Sequence, residues 1–177
     1  MPKIIREVRE MAIKEAKQQL IEKGPEALTM RSVASACGIA VGTLYNYFPS
    51  KDILIASAML EDWKLALSQM HIGCTRAGSL SEGLRCIYDS IRSFSAMYSP
   101  SWQQYRSDFS GAAFILERHR QLIAQLNEIL TSLLKTQGLP VREIFSRSAL
   151  ELLLQQAARE TQGNFDEILP VLEKLLI

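Results

Sequence analysis

The chain is predicted to be all-α, with a small N-terminal three-helix unit joined by a long helix to a larger helical body. Three observations predict it. No stretch of useful length alternates apolar and polar residues as a half-buried strand does. Apolar residues recur instead at three- and four-residue steps along most of the 177 residues. The interruptions fall at glycine, proline and asparagine, where helices stop. A hydrophobic content of 47% with 22% charged residues is ordinary for a folded protein with a packed core.

Taken in order, residues 4–23 read as an amphipathic helix. Ile5, Val8, Ala12, Ala16 and Leu20 form its stripe, widened by Ile13 and Ile21, and Gly24-Pro25 ends it. Thr29 is a capping residue before a short helix from Met30 to Cys37, and Gly38 sits where the turn needs a left-handed or crowded backbone. A second short helix runs from Val41 to Phe48 and closes at Pro49. Two short helices joined by a tight glycine turn make a helix-turn-helix, whose second helix enters the DNA major groove. Ser50 caps a third helix, with Asp52 well placed for its N-terminal dipole.

That third helix runs from Lys51 through Ile72, long enough to link the front unit to the body and act as a lever, with Gly73 and Gly78 bracketing a break. The boundaries drawn are a helix-turn-helix domain at 1–51, its third helix continuing onward, and a body at 52–177. In the body, residues 80–98 are helical and Ser99-Pro100-Ser101 interrupts them before a short segment from Trp102 to Phe109. Long helices follow at 112–137 and 141–161. The second carries Leu150, Leu152, Leu153 and Leu154 in several directions, as a helix buried on more than one side would. Residues 165–177 form the last helix, with Pro170 in its first turns.

On the second helix of the motif, Leu44 and Phe48 share a face with Val41, while Gly42 and Asn46 fall opposite and Thr43 and Tyr45 flank them. Glycine, hydroxyl, amide and phenol groups on an open face suit close backbone approach to DNA, with donors for phosphates and base edges. The stretch GIAVGTLYNYFPSKDIL, preceded by LTMRSVASACG, resembles the signature of the TetR/AcrR family of bacterial transcriptional regulators. The resemblance implies a three-helix DNA-binding domain, a helical ligand-binding and dimerisation domain, and repression relieved by a small molecule. Carried over position by position, it implies DNA contacts from Thr29, Arg31, Val41, Gly42, Thr43, Tyr45, Asn46, Tyr47 and Lys51. Tyr47 lies near the packing face. Two positions depart from the family pattern: Ala40 replaces the usual polar cap, and Val41 stands where lysine, glutamine or proline is common. Asn46 is the only amide on this helix and no arginine is present, so thymine methyl contacts and DNA shape carry weight.

The body holds an aromatic group made of Trp63, Tyr88, Phe94, Tyr98, Trp102, Tyr105, Phe109 and Phe114, joined by Met97, His71, Arg106 and His119. Such residues at helical spacing read either as packed core or as the apolar lining of a pocket. The family resemblance implies an effector cavity in this region. Arg106 is placed to pair with an anionic ligand or with Asp108 or Glu117. The last two helices read either as an isologous homodimer interface through Leu150, Leu154, Ala158, Leu172 and Leu176 or as internal core, and the family resemblance favours the dimer.

Charge is unevenly spread. Residues 1–51 hold eight Lys/Arg against five Glu, while the whole chain is only +1, so a modestly basic front sits on a slightly acidic body. Cys37, Cys74 and Cys86 are odd in number and lack a CxxC pair, so neither a disulfide framework nor a zinc finger is indicated. His71 and Cys74 have helical spacing but no further ligand set, and no metal or cofactor is expected. No phosphate-binding glycine loop, nucleophile elbow or carboxylate pair suggests an enzyme. Charges at Lys3, Arg6, Glu7, Arg9 and Glu10 interrupt any export signal, and no apolar run approaches the ~20 residues of a membrane span. The expected setting is a reducing cytoplasm. The expected function is a dimeric, ligand-released repressor on an inverted-repeat operator. The alternative is a helical protein-interaction module with weak or no specific DNA binding.

Overall fold

The computed structural model describes the backbone of residues 3–108, 112–157 and 164–177, and the side chains of residues 7–98, 120–157 and 164–177. Among these residues there are eight helices and no strands. They are α1 (Lys3–Ala27), α2 (Met30–Ala36), α3 (Val41–Tyr47), α4 (Lys51–Arg76), α5 (Leu80–Asp108), α6 (Ala112–Thr136), α7 (Glu143–Ala157) and α8 (Phe165–Leu176). The all-α prediction holds. No described helix is long and apolar enough to cross a membrane.

The chain divides into two compact units. One comprises Met1–Lys64 with Met97–Asp108, and the other Leu65–Ala96 with Phe109–Ile177. The first unit reaches beyond the boundary drawn at residue 51, because Leu54, Ile55 and Ala58 of α4 are buried in it. Ala12, Ile13, Ala16 and Leu20 bury one face of α1, and Leu28, Met30, Val33, Ala34, Leu44 and Phe48 complete the core. The expected stop at Gly24 is present as a break in helical geometry (φ 76°, ψ 172°), after which Pro25 opens one further turn.

A buried polar group sits in this same unit. Asp62 is buried, and its carboxylate accepts hydrogen bonds from the Lys17 ammonium of α1 and from the Tyr98 hydroxyl. A carboxylate withdrawn from water needs such partners, since an uncompensated buried charge is costly. Tyr98 titrates well above the ordinary tyrosine value, first because burial disfavours the phenolate, then because it donates to Asp62 and lies beside its charge.

In the second unit, Met70 and Cys74 of α4, Leu84, Ile87, Tyr88 and Ile91 of α5, and Leu126, Leu130, Leu133 and Leu134 of α6 are buried. So are Ala149, Leu150 and Leu153 of α7 and Phe165, Ile168, Leu172 and Leu176 of α8. Tyr88 and Phe165 pack as tilted rings with centroids 5.3 Å apart, with the Arg85 guanidinium over Phe165 and paired to Asp166. Asn164 caps α8 by accepting from the Asp166 N–H.

Of two expected breaks, the one bracketed by Gly73 and Gly78 is present at residues 77–79, and the one at Ser99-Pro100-Ser101 is absent. Gly73 lies inside α4, where a Cβ would stand 2.2 Å from the Cys86 sulfur, so this glycine marks a close helix contact and not a helix end. Helix α5 continues through Ser99-Pro100-Ser101. An interior proline costs about 3 kcal/mol locally, a penalty that a long helix with hydrogen-bonded turns on both sides absorbs. Helix α7 likewise buries one face, not several: Ser146, Ala149, Leu150, Leu153 and Ala157 form a single stripe, and Ile144 opposite is 79% exposed.

Replacing Tyr98 by phenylalanine should lower stability in urea unfolding by about 1.5–3 kcal/mol at neutral pH, the worth of a hydrogen bond to a charged group. Because the folded-state pKa is raised, the unfolded chain ionises this tyrosine first, from the ordinary value of 10.0 upward. The stability gap between wild type and Tyr98→Phe should therefore be full below pH 10 and shrink above it.

Candidate nucleic-acid interface

Helix α2 begins with a reciprocal cap. The Thr29 hydroxyl oxygen accepts from the Ser32 N–H at 2.9 Å, and the Ser32 hydroxyl oxygen accepts from the Thr29 N–H at 3.0 Å. Ser32 also donates to the side-chain carbonyl of Gln19 at 2.6 Å, tying α2 to α1, and Gln19 donates onward to Glu15. The sequence alone does not single out Gln19 or Ser32. The Thr-x-x-Ser spacing is a readable signal for the cap, whereas nothing local marks Gln19 as its partner.

The turn follows from one residue. Cys37 ends α2, Gly38 takes φ 66°, and the Ile39 N–H reaches back to the Ala34 carbonyl at 3.0 Å. This is the wrap-around closure that a left-handed residue after a helix permits. Helix α3 then starts at Ala40 without a side-chain cap, as the alanine there predicts.

On α3, Leu44 is fully buried and Phe48, just past its end, is 1% exposed. Arg9 lies over the Phe48 ring at 5.8 Å. Val41, placed by periodicity on the docking face, is only half-buried, as are Thr43 and Tyr47. Gly42, Tyr45 and Asn46 are exposed, and nothing lies within 4 Å of where a Gly42 side chain would begin. Thr29 and Arg31 are exposed at the start of α2. Lys51 is half-buried at the start of α4, where the Ser50 hydroxyl caps the Ile53 N–H at 3.3 Å. A lysine at the positive end of a helix dipole does nothing for the helix itself and suits a negative group outside it.

The exposed residues of α3 lie beside Arg31 and Lys51 in sequence, on a scaffold whose cores and caps account for Leu44, Phe48 and Ser32 but not for Gly42, Thr43, Tyr45 or Asn46. Residues 12–58 match the family model described as bacterial regulatory proteins, tetR family. The match takes in the helix-turn-helix and its flanks, and within it the chain is similar to the tetR family of bacterial regulatory proteins.

The similarity to curated relatives is concentrated in this region. Over 41 residues, 23% of this chain and 19% of the relative, it is 51% identical to the HTH-type transcriptional repressor KstR of Rhodococcus jostii (strain RHA1). Over 54 residues, 30% of this chain and 28% of the relative, it is 35% identical to the HTH-type transcriptional regulator UidR of Escherichia coli (strain K12). The matched stretches thus span well under a third of the relatives' length. The fold similarity extends further. The fatty acid degradation regulator FadR from Bacillus halodurans matches with a TM-score of 0.65 at 19% identity, covering 95% of this chain and 94% of that one. A transcriptional regulator, SCO7518, from Streptomyces coelicolor A3(2) matches with a TM-score of 0.69 at 12% identity, covering 96% and 98%.

Of the aromatic residues assigned to an effector pocket, Trp63, Tyr88 and Tyr98 are buried, Phe94 is half-buried and Met97 is exposed. Trp63, Met97 and Tyr98 belong to the first unit, Tyr88 and Phe94 to the second. Trp102, Tyr105, Arg106, Phe109 and Phe114 lie outside the described side chains. Tyr88 and Tyr98 have core partners in Phe165 and Asp62, the packed reading of aromatic residues at helical spacing. The second unit does form an open groove of about 370 Å³, lined by Leu67, His71 and Ile72 of α4 and by Gln125, Glu128 and Ile129 of α6. Of these lining residues, His71 is the one that the sequence joins to the aromatic group.

The dimer assignment needs correction at Leu150, Leu172 and Leu176. They are 0%, 0% and 3% exposed, so they are core residues of their own subunit and have no surface to offer a partner. Leu154 is half-buried, and Ala158 lies outside the described residues.

Gly38→Ala should cost about 1–2 kcal/mol, the penalty for forcing a Cβ into the left-handed region. Space is not limiting there, since nothing lies within 4 Å of the added carbon. Chemical denaturation measures it, and an unchanged midpoint would show that the turn is not held in this geometry.

Proposed function

We propose that this chain is a dimeric transcriptional repressor that binds an inverted-repeat operator in duplex DNA and is released by a small apolar or amphipathic effector, in the cytoplasm. The observation that carries the reading is the division of α3: Leu44 is committed to the core, while Gly42, Tyr45 and Asn46 are left to solvent. Gly42 lets the backbone approach the duplex closely. Thr43, Tyr45, Tyr47 and Asn46 supply donors to phosphates and base edges, and Thr29, Arg31 and Lys51 anchor the flanking backbone. Val41 offers an apolar contact to a thymine methyl. The name of the KstR relatives, a transcriptional repressor, supports the direction of regulation.

Two heads read two half-sites about one helical turn, or a multiple, apart. Helix α4 runs from the head into the body, so it is the covalent route by which an effector in the body alters half-site spacing. The aromatic residues of the body remain the proposed effector contacts. The pairing surface is assigned to the outward faces of α7 and α8, where Ile144, Phe145 and Val171 are exposed and Leu154 half-buried.

Selection of bound duplexes from a random pool by the purified protein should recover an inverted repeat, and a Thr43→Ala/Tyr45→Ala variant should recover none. Recovery of no motif by folded wild-type dimer at low salt would sink the reading and favour the interaction module. Gly42→Ala separates binding from folding. It should leave stability unchanged or raise it by up to about 1 kcal/mol, since alanine is the better helix former, yet weaken operator binding.

Ile144→Glu/Phe145→Glu should shift the protein from dimer to monomer in sedimentation, with its helical circular dichroism intact. A variant that stays dimeric would place the pairing surface elsewhere.

A further inference from the structure

We propose that Cys74 and Cys86 form an oxidisable dithiol that a peroxide converts to an intrachain disulfide joining α4 to α5. No sequence pattern pairs these cysteines; the fold does. Each thiol rests on the other residue's helix. The Cys74 thiol donates to the Gly83 carbonyl of α5 at 3.6 Å, one turn before Cys86. The Cys86 sulfur occupies the space where a Gly73 side chain would stand, beside Cys74 on α4, with 2.2 Å to a Cβ built there. Only the absence of a side chain at 73 lets the helices come this close, and a disulfide requires such closeness, with Cα atoms typically ~5.5 Å apart.

The pair is asymmetric in the way the chemistry needs. Cys86 is half-buried and open to a small oxidant, whereas Cys74 is 3% exposed. Burial first, and the neighbouring Cys86 second, push the Cys74 thiol up to about 12, so Cys74 is not the group that meets the peroxide. Cys86 as thiolate attacks the peroxide: an S–O bond forms, the O–O bond breaks, and water or an alcohol leaves with the proton. The sulfur is oxidised to a sulfenic acid and the peroxide reduced. The Cys74 thiol then attacks the Cys86 sulfur, forming the S–S bond and breaking S–O, and its proton leaves with the hydroxide as water. The product is neutral, which suits a site that disfavours thiolates. Among the described residues no third metal-binding side chain joins the pair, which favours oxidation over ion binding.

The test uses the full chain carrying Cys37→Ser, which removes the third thiol, treated with hydrogen peroxide and digested for mass spectrometry. The expected product has lost two hydrogens, contains a peptide linking 74 to 86, and has both cysteines blocked to iodoacetamide after unfolding. A thiol reductant should restore both. Oxygen addition at Cys86 with Cys74 still alkylatable would overturn the proposal. So would Cys86 linked to Cys86 of a second chain. A further variant, Cys74→Ala, should retain the sulfenic acid at Cys86, trapped by a dimedone-type reagent; absence of that adduct would overturn the assigned order of attack.

Discussion

The head of this molecule depends on two buried side chains beneath one short helix. Helix α3 spans only Val41–Tyr47, far below the ~12–15 residues at which an isolated helix is even marginal in water. It has no side-chain cap at its start to compensate. Its persistence therefore rests on Leu44 and the adjacent Phe48, both withdrawn from solvent, and on the left-handed Gly38 that delivers the chain to them. Two fully buried apolar side chains contribute about 3–6 kcal/mol, enough to hold so short a helix. The direction in which Gly42, Tyr45 and Asn46 point is thus decided from beneath, by packing.

Polar contacts inside the same unit fix what apolar packing leaves free. Leucines and alanines tolerate sliding, because dispersion has little angular preference. The chain Glu15–Gln19–Ser32–Thr29 does not, since each hydrogen bond has a direction, and it sets the rotation of α2 on α1. Asp62 does the same at greater depth by joining Lys17 to Tyr98. Both networks tie residues far apart in sequence around a core otherwise made of interchangeable shapes.

How much of this was legible depends on whether the signal was local. Gly38, Gly24-Pro25 and Thr29 act through their own backbone or nearest turn, and the helix-turn-helix was readable for that reason. Its docking residues Leu44 and Phe48 follow from periodicity. Gly73 and Pro100 carry the same local symbols yet end no helix. At Gly73 the deciding contact is the Cys86 sulfur on another helix, and at Pro100 it is the length of hydrogen-bonded helix on either side. The leucines of α7 and α8 show the same limit: periodicity identifies an apolar stripe but not whether its cover is the chain's own core, as it is for Leu150, Leu172 and Leu176. Asp62, an ordinary acidic residue in a helix by sequence, becomes buried because Lys17 and Tyr98 arrive from elsewhere.

That last arrangement has a consequence for synthesis. The first unit is not contiguous: Tyr98 and the segment Met97–Asp108 belong to it, 36 residues after Asp62. At ~5–20 residues per second, the ribosome delivers Tyr98 about 2–7 seconds after Asp62. Throughout that interval the helix-turn-helix is already synthesised, while the buried carboxylate of its unit lacks the hydroxyl it bonds to. The helix-turn-helix is made before Tyr98 and its unit is completed only after it, so a nascent chain passes through a stage in which the exposed face of α3 exists on an unfinished core.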